Sequence, residues 1–119
     1  MTYQAIAAMI ESIGLPCAYS HFPADTPQVP PFACWIYPGR SDVFGDDKNY
    51  QKIETVQLEL YTDEKNFSWE KIVEEILAGY DLTWVRSEGY LDDEKMHMTT
   101  WRFDVVITPE PPTTTTQEA

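Results

Sequence analysis

Positive charge is what this chain lacks most. Eight Lys and Arg stand against twenty Asp and Glu, a formal net charge of -12 and a sequence pI near 4.3. Holding a nucleic-acid backbone requires clustered cations, so DNA should be repelled rather than bound. Three uses of such acidity remain: plain solubility, a surface past which DNA moves without sticking, or an imitation of DNA that occupies basic proteins. Cysteine is scarce too. Cys17 and Cys34 cannot form the dense framework of a small secreted domain, and no charged segment followed by an apolar one opens the chain, which points to a reduced, cytoplasmic setting. There is no CxxC, and His21 and His97 have no cysteine or carboxylate at ligand spacing, so neither metal nor cofactor is expected. No apolar run approaches the roughly 20 residues of a membrane span, and no membrane partner is expected.

What is present suffices for a domain with its own core. The 119 residues are 43% hydrophobic, and a domain near this size buries about two-thirds of the surface its unfolded chain exposes. From Thr2 to Ile13, the apolar residues Ile6, Met9, Ile10 and Ile13 recur at helical spacing, and Gly14 then Pro16 end the helix. Cys17–Phe22 reads as a short strand. The four prolines of Pro23–Pro31 remove donors and fix φ, which makes that stretch an extended surface connection. Phe32–Tyr37 is a compact apolar and aromatic run suited to a strand buried on much of both faces. An acidic loop, Ser41–Asn49, leads into Tyr50–Thr62, where Val56, Leu58 and Leu60 alternate with Thr55, Gln57 and Glu59. That period of two marks a strand with one buried face, the centre of the only sheet. It should pair with the Phe32 strand across the acidic loop.

Asn66–Gly79 places Trp69, Ile72, Val73, Ile76 and Leu77 on one helical face, with Glu70, Lys71, Glu74 and Glu75 largely on the other. Asn66 or Ser68 supplies the N-cap and Gly79 the end. Leu82–Leu91 and Met96–Ile107 read as a hairpin about the Asp92–Lys95 turn. From Thr108 the three prolines and the threonine run leave no large apolar residue, so 108–119 is expected to be disordered and 1–107 to form a single domain. The order α-β-β-β-α-β-β predicts an α+β two-layer sandwich: one mostly antiparallel or mixed sheet of about five strands, with both helices on one face. The crossover helix would leave the Tyr50 and Leu82 strands parallel if they share the sheet.

The succession AYSHFP, PPFACWIYPG, DVFGDDKNYQK, VQLELYTDEKN and EGYLDDEKMHMTTWRFDVVI resembles, across Met1–Ile107, the small tail-completion proteins of long-tailed phages and prophages of Gram-positive bacteria. It is similar in organisation to tail terminators of the lambda type. The resemblance implies a structural virion protein of the tail, assembled in the host cytoplasm as a homo-oligomeric ring, commonly of six subunits, at the head-proximal end of the tail tube. Its implied partners are other copies of itself, the tail tube protein and the head-tail connector. DNA would pass through the lumen without specific binding. No enzyme activity and no catalytic residues are implied. A head-side connector or stopper and an acidic DNA-mimic inhibitor are the competing readings, although Glu11, Glu54, Glu70, Glu74 and Glu88 are scattered over several elements rather than arrayed.

The carboxylate clusters Asp42/Asp46/Asp47 and Asp92/Asp93/Glu94 both fall in expected turns, where Asp makes local hydrogen bonds and charge is readily solvated. Neither has the spaced ligands of a calcium loop. A Cys17–His21 dyad would need an activating environment that nothing in the sequence supplies. Val43 and Phe44 are different, being apolar within a polar loop. Either they contact another molecule or Phe44 folds back on the sheet. Asp42, Val43, Phe44, Asp46 and Asp47 are therefore the candidate interaction residues.

Overall fold

The computed structural model describes residues 1–45 and 48–108, with side chains from Gln51 onward in the second stretch. Helix α1, Tyr3–Glu11, is capped by Thr2, whose side chain accepts from the Ala5 amide. Gly14 follows at φ +94°, left-handed backbone that glycine adopts without strain. Strand β1, Cys17–Tyr19, is shorter than the expected Cys17–Phe22. Ser20 takes a positive φ of 69°, which breaks the extended run and leaves His21 outside any strand. Strand β2, Phe32–Arg40, outruns the expected end at Tyr37 by absorbing Pro38 and Gly39 in a register shift.

The acidic loop contains a further strand, β3, Val43–Gly45, which makes the sheet six-stranded rather than five-stranded. Strand β4, Lys48–Thr62, is 15 residues long, the longest element among the described residues. After it come helix α2, Phe67–Gly79, and strands β5, Val85–Leu91, and β6, Met96–Ile107. Asn66 is the α2 cap, accepting from the Trp69 amide at 3.0 Å. The chain leaves α2 through Asp81, whose φ is 60°, and not through a left-handed Gly79. The Leu82 amide then bonds back to Leu77, so β5 starts three residues later than the sequence suggests.

The strand order is β1-β2-β4-β6-β5, with β3 on β4 alone. Tyr50–Thr62 is thus central, as its period predicts. β2 and β4 are antiparallel, as are β4 and β6 and then β6 and β5, so β4 and β5 run parallel with β6 between them. Among the described residues, only β1 and β2 pair in parallel. Ile6, Met9 and Ile10 of α1 and Val73 and Leu77 of α2 share one core with Val56, Leu58, Leu60, Trp101, Phe103 and Val105. Both helices therefore cover the same face. Each fully buried aliphatic or aromatic side chain there contributes roughly 1.5–3 kcal/mol.

The opposite face carries a polar ladder along β4 and β6. Thr55 donates to Asp104 at 2.8 Å, Arg102 to Gln57 at 2.7 Å, and Gln57 and Tyr61 each to Glu59 at 2.7 Å. Phe32 stacks on Tyr61 at one end of that face, with Phe22 edge-on to Phe32. At the other end the Met1 ammonium donates to the Val106 carbonyl at 2.7 Å. Two sequence readings need correction. Glu70 is only 6% exposed and lies on the buried side of α2, whereas Ile72 is exposed. Of the tail 108–119 expected to be disordered, Thr108 is held to the N-terminus, its amide donating to the Met1 carbonyl at 2.8 Å, and 109–119 lie outside the described residues.

Candidate functional site

The site begins where the sheet runs out. β6 pairs with β4 only as far as Lys52 opposite Ile107, so beyond it Lys48–Gln51 has β3 as its one neighbour among the described residues. β3 continues the line of β2, since Arg40 faces Glu54 and Val43 faces Gln51 on the same side of β4. The result is a two-stranded arm projecting from the end of the sheet.

Asp42 fixes the root of this arm. Its carboxylate accepts from the Ile53 amide at 3.2 Å and from the Arg40 guanidinium at 2.8 Å, with the Asp42 side chain largely buried. The Ser41 amide adds a bond to the Ile53 carbonyl at 2.8 Å. Val43 and Phe44 lie beyond the root, 50% and 71% exposed. Of the two sequence alternatives for Phe44, folding back onto the sheet is the one not observed. Asp46 and Asp47 lie outside the described residues. The structure therefore separates Asp42, an internal brace, from Val43 and Phe44, which face outward.

A second surface lies at the far edge of the sheet, between α2 and β5, and the sequence reading missed it. The Glu70 carboxylate accepts from Lys65 at 2.8 Å, Arg86 at 3.2 Å and Thr99 at 3.1 Å. Lys65 also bonds Glu88, Arg86 bonds Glu88 at 3.1 Å, and the indole of Trp101 donates to Glu74 at 3.0 Å. Burial works against the Lys65 charge, but the Glu70 and Glu88 carboxylates outweigh it and hold the ammonium above its ordinary range. The hydrogen bond from Lys65 in turn holds Glu88 below the usual carboxylate range. A signal for Glu70 was present in the sequence: Glu70, Val73 and Leu77 are spaced along one stripe, so a carboxylate there must face inward.

Beside this network runs a groove of about 580 Å³ whose apolar lining is Phe67, Ala78 and Trp84. Trp84 also lines two adjoining concavities at the start of β5, one with Leu82 and Thr83 and one with Val85 and Phe103. Phe67 and Val85 are 73% and 75% exposed.

Neither cysteine is set up as a nucleophile. Burial pushes the Cys34 thiol up to about 11, and burial also raises Cys17. No group of three or more His, Cys, Asp or Glu suited to a metal ion occurs among the described residues. Among them, too, no helix is long and apolar enough to cross a membrane.

No family model and no curated protein matches the chain. Among solved structures, a chain from the virion of the native gene transfer agent particle aligns over 88% of this chain and 87% of its own, with a TM-score of 0.57 at 12% identity. What the two chains share at that distance is the fold.

Proposed function

We propose that this protein is a structural virion component of a tailed, phage-like particle. More specifically, it acts as the tail terminator or tail-completion subunit, forming a ring at the head-proximal end of the tail tube and joining it to the head. The observation that carries this reading is the fold, shared over nearly the whole of both chains with a protein of a phage-like virion. The projecting arm with outward Val43 and Phe44 supports it, because a side chain like Phe44 is stabilised in water only when another surface covers it. The protein works through subunit contacts rather than catalysis, and DNA passes the acidic ring without being held. An imitation of DNA is less well supported. Glu54 and Glu70 are turned into the fold, with the Tyr3 hydroxyl donating to Glu54 at 2.7 Å, and do not contribute to an outward array.

Native mass spectrometry and negative-stain imaging, with and without purified tail tubes, test the reading. Rings, or decoration of one tube end, are the expected result. A monomer that ignores tubes and instead titrates a DNA-binding enzyme would overturn it, and binding to the head connector alone would move the protein to the head side. Phe44→Ser should raise the concentration for half-assembly about tenfold, in the range of an interface aromatic. Its urea midpoint should stay that of the wild type.

A further inference from the structure

Resting on the ring reading, we propose how the copies join: the arm of one copy adds to the free edge of β5 on the next, with Phe44 seated in the groove beside Trp84. Three observations converge on a second copy as the occupant. First, β5 is the last strand of the sheet and is exposed along almost its whole length. Soluble domains normally guard such an edge with proline, a bulge, charged side chains or a covering helix or loop. β5 has no proline, and its register with β6 is unbroken from Val85 to Leu91. Its charged residues, Arg86 and Glu88, are tied to each other and to Lys65 and Glu70.

Second, a free strand edge accepts an extended strand, and the chain itself carries a matching one. Among the described residues β3 pairs with β4 on one side only, which leaves its other edge without a strand neighbour in the direction the arm projects. Third, the apolar groups match. Phe44 is an exposed aromatic on the arm, and the groove beside the start of β5 offers Phe67, Ala78 and Trp84 among five charged lining residues. An aromatic anchor entering a concavity walled by tryptophan is the arrangement that dominates interface energetics. β3 lies on the β2 side of β4 and β5 lies beyond β6 on the other. The contact therefore uses two different patches, and repeated use of it closes a ring when the rotation between copies closes.

The test is cross-linking in a background with Cys17→Ser and Cys34→Ala, each variant first checked for a native circular dichroism spectrum. Phe44→Cys and Val85→Cys are made singly and together and treated with a short bismaleimide. The proposal expects a ladder of covalent oligomers from the double variant, dimers from a mixture of the two singles, and no product from either single alone. Dimers from Val85→Cys alone would overturn it in favour of β5 meeting β5. Rings in native mass spectra without Phe44–Val85 products would overturn the contact and leave the ring intact. Absence of any assembly, with or without tubes, would remove both. Val85→Lys should weaken assembly about as much as Phe44→Ser, about tenfold, with an unchanged urea midpoint, and equal assembly by the two and by wild type would overturn the proposal.

Discussion

Glu70 is the residue on which the α2–β5 surface depends. Three donors converge on a carboxylate that has little contact with water, and Glu70→Ala leaves the buried Thr99 hydroxyl without its acceptor. Removing one partner of a fully buried pair costs roughly 3–5 kcal/mol. Lys65 and Arg86 remain solvated enough to regain water, so the expected loss is smaller, about 2 kcal/mol, measurable by urea denaturation. Cys34 gives a chemical test at the same scale. Its thiol has a higher proton affinity folded than unfolded, so its contribution to stability is complete below pH 9 and disappears as pH rises toward about 11. At pH 8 the native protein should alkylate at Cys34 far more slowly than the urea-unfolded chain. Equal rates, read by mass spectrometry, would show that the side chain is not held inside. On the acid side Glu88 runs the other way: held low by Lys65, it contributes above its unfolded range and is lost as pH falls through its depressed value.

At the scale of elements, local chemistry explains most boundaries. Thr2 and Asn66 cap the two helices, and replacing either with Ala should cost about 1 kcal/mol. Gly14→Ala should cost a similar amount, about 1 kcal/mol, and wholly through φ, because a Cβ there meets nothing within 4 Å. Thermal melts of the three variants check both statements. The β4 period was legible in the sequence because it reports burial directly, and so was most of the α2 stripe, although Glu70 is inside and Ile72 outside. The end of β1 at Ser20 and the late start of β5 were not legible. Both follow from a positive φ at a residue other than glycine, Ser20 and Asp81, which composition does not reveal. β3 was hidden for another reason. Val43–Gly45 pairs without being buried, so it has no hydrophobic alternation to read. Of the candidate site, the outward pair Val43 and Phe44 could be picked out as apolar residues in a polar stretch. The groove at Trp84 could not, since it joins α2 to β5 across the turn between them.

For the whole molecule, charge opposes assembly. Copies that each carry -12 repel one another, and salt screens that repulsion over about 10 Å at 0.1 M. Ring formation should therefore strengthen as sodium chloride is raised, whereas a contact made chiefly by ion pairs would weaken. Sedimentation at a series of salt concentrations distinguishes the two. The continuity of β4 has one further effect. A single strand of 15 residues is clamped between β2 and β6 over most of its length and free of β6 at its beginning. It behaves as a cantilever. A small rotation of the clamped part is magnified at the overhanging end, so a core substitution that alters sheet twist near Val56 or Phe103 should displace Phe44 with no change at Phe44 itself. Defects in assembly should thus map to two places, the arm and the core that aims it.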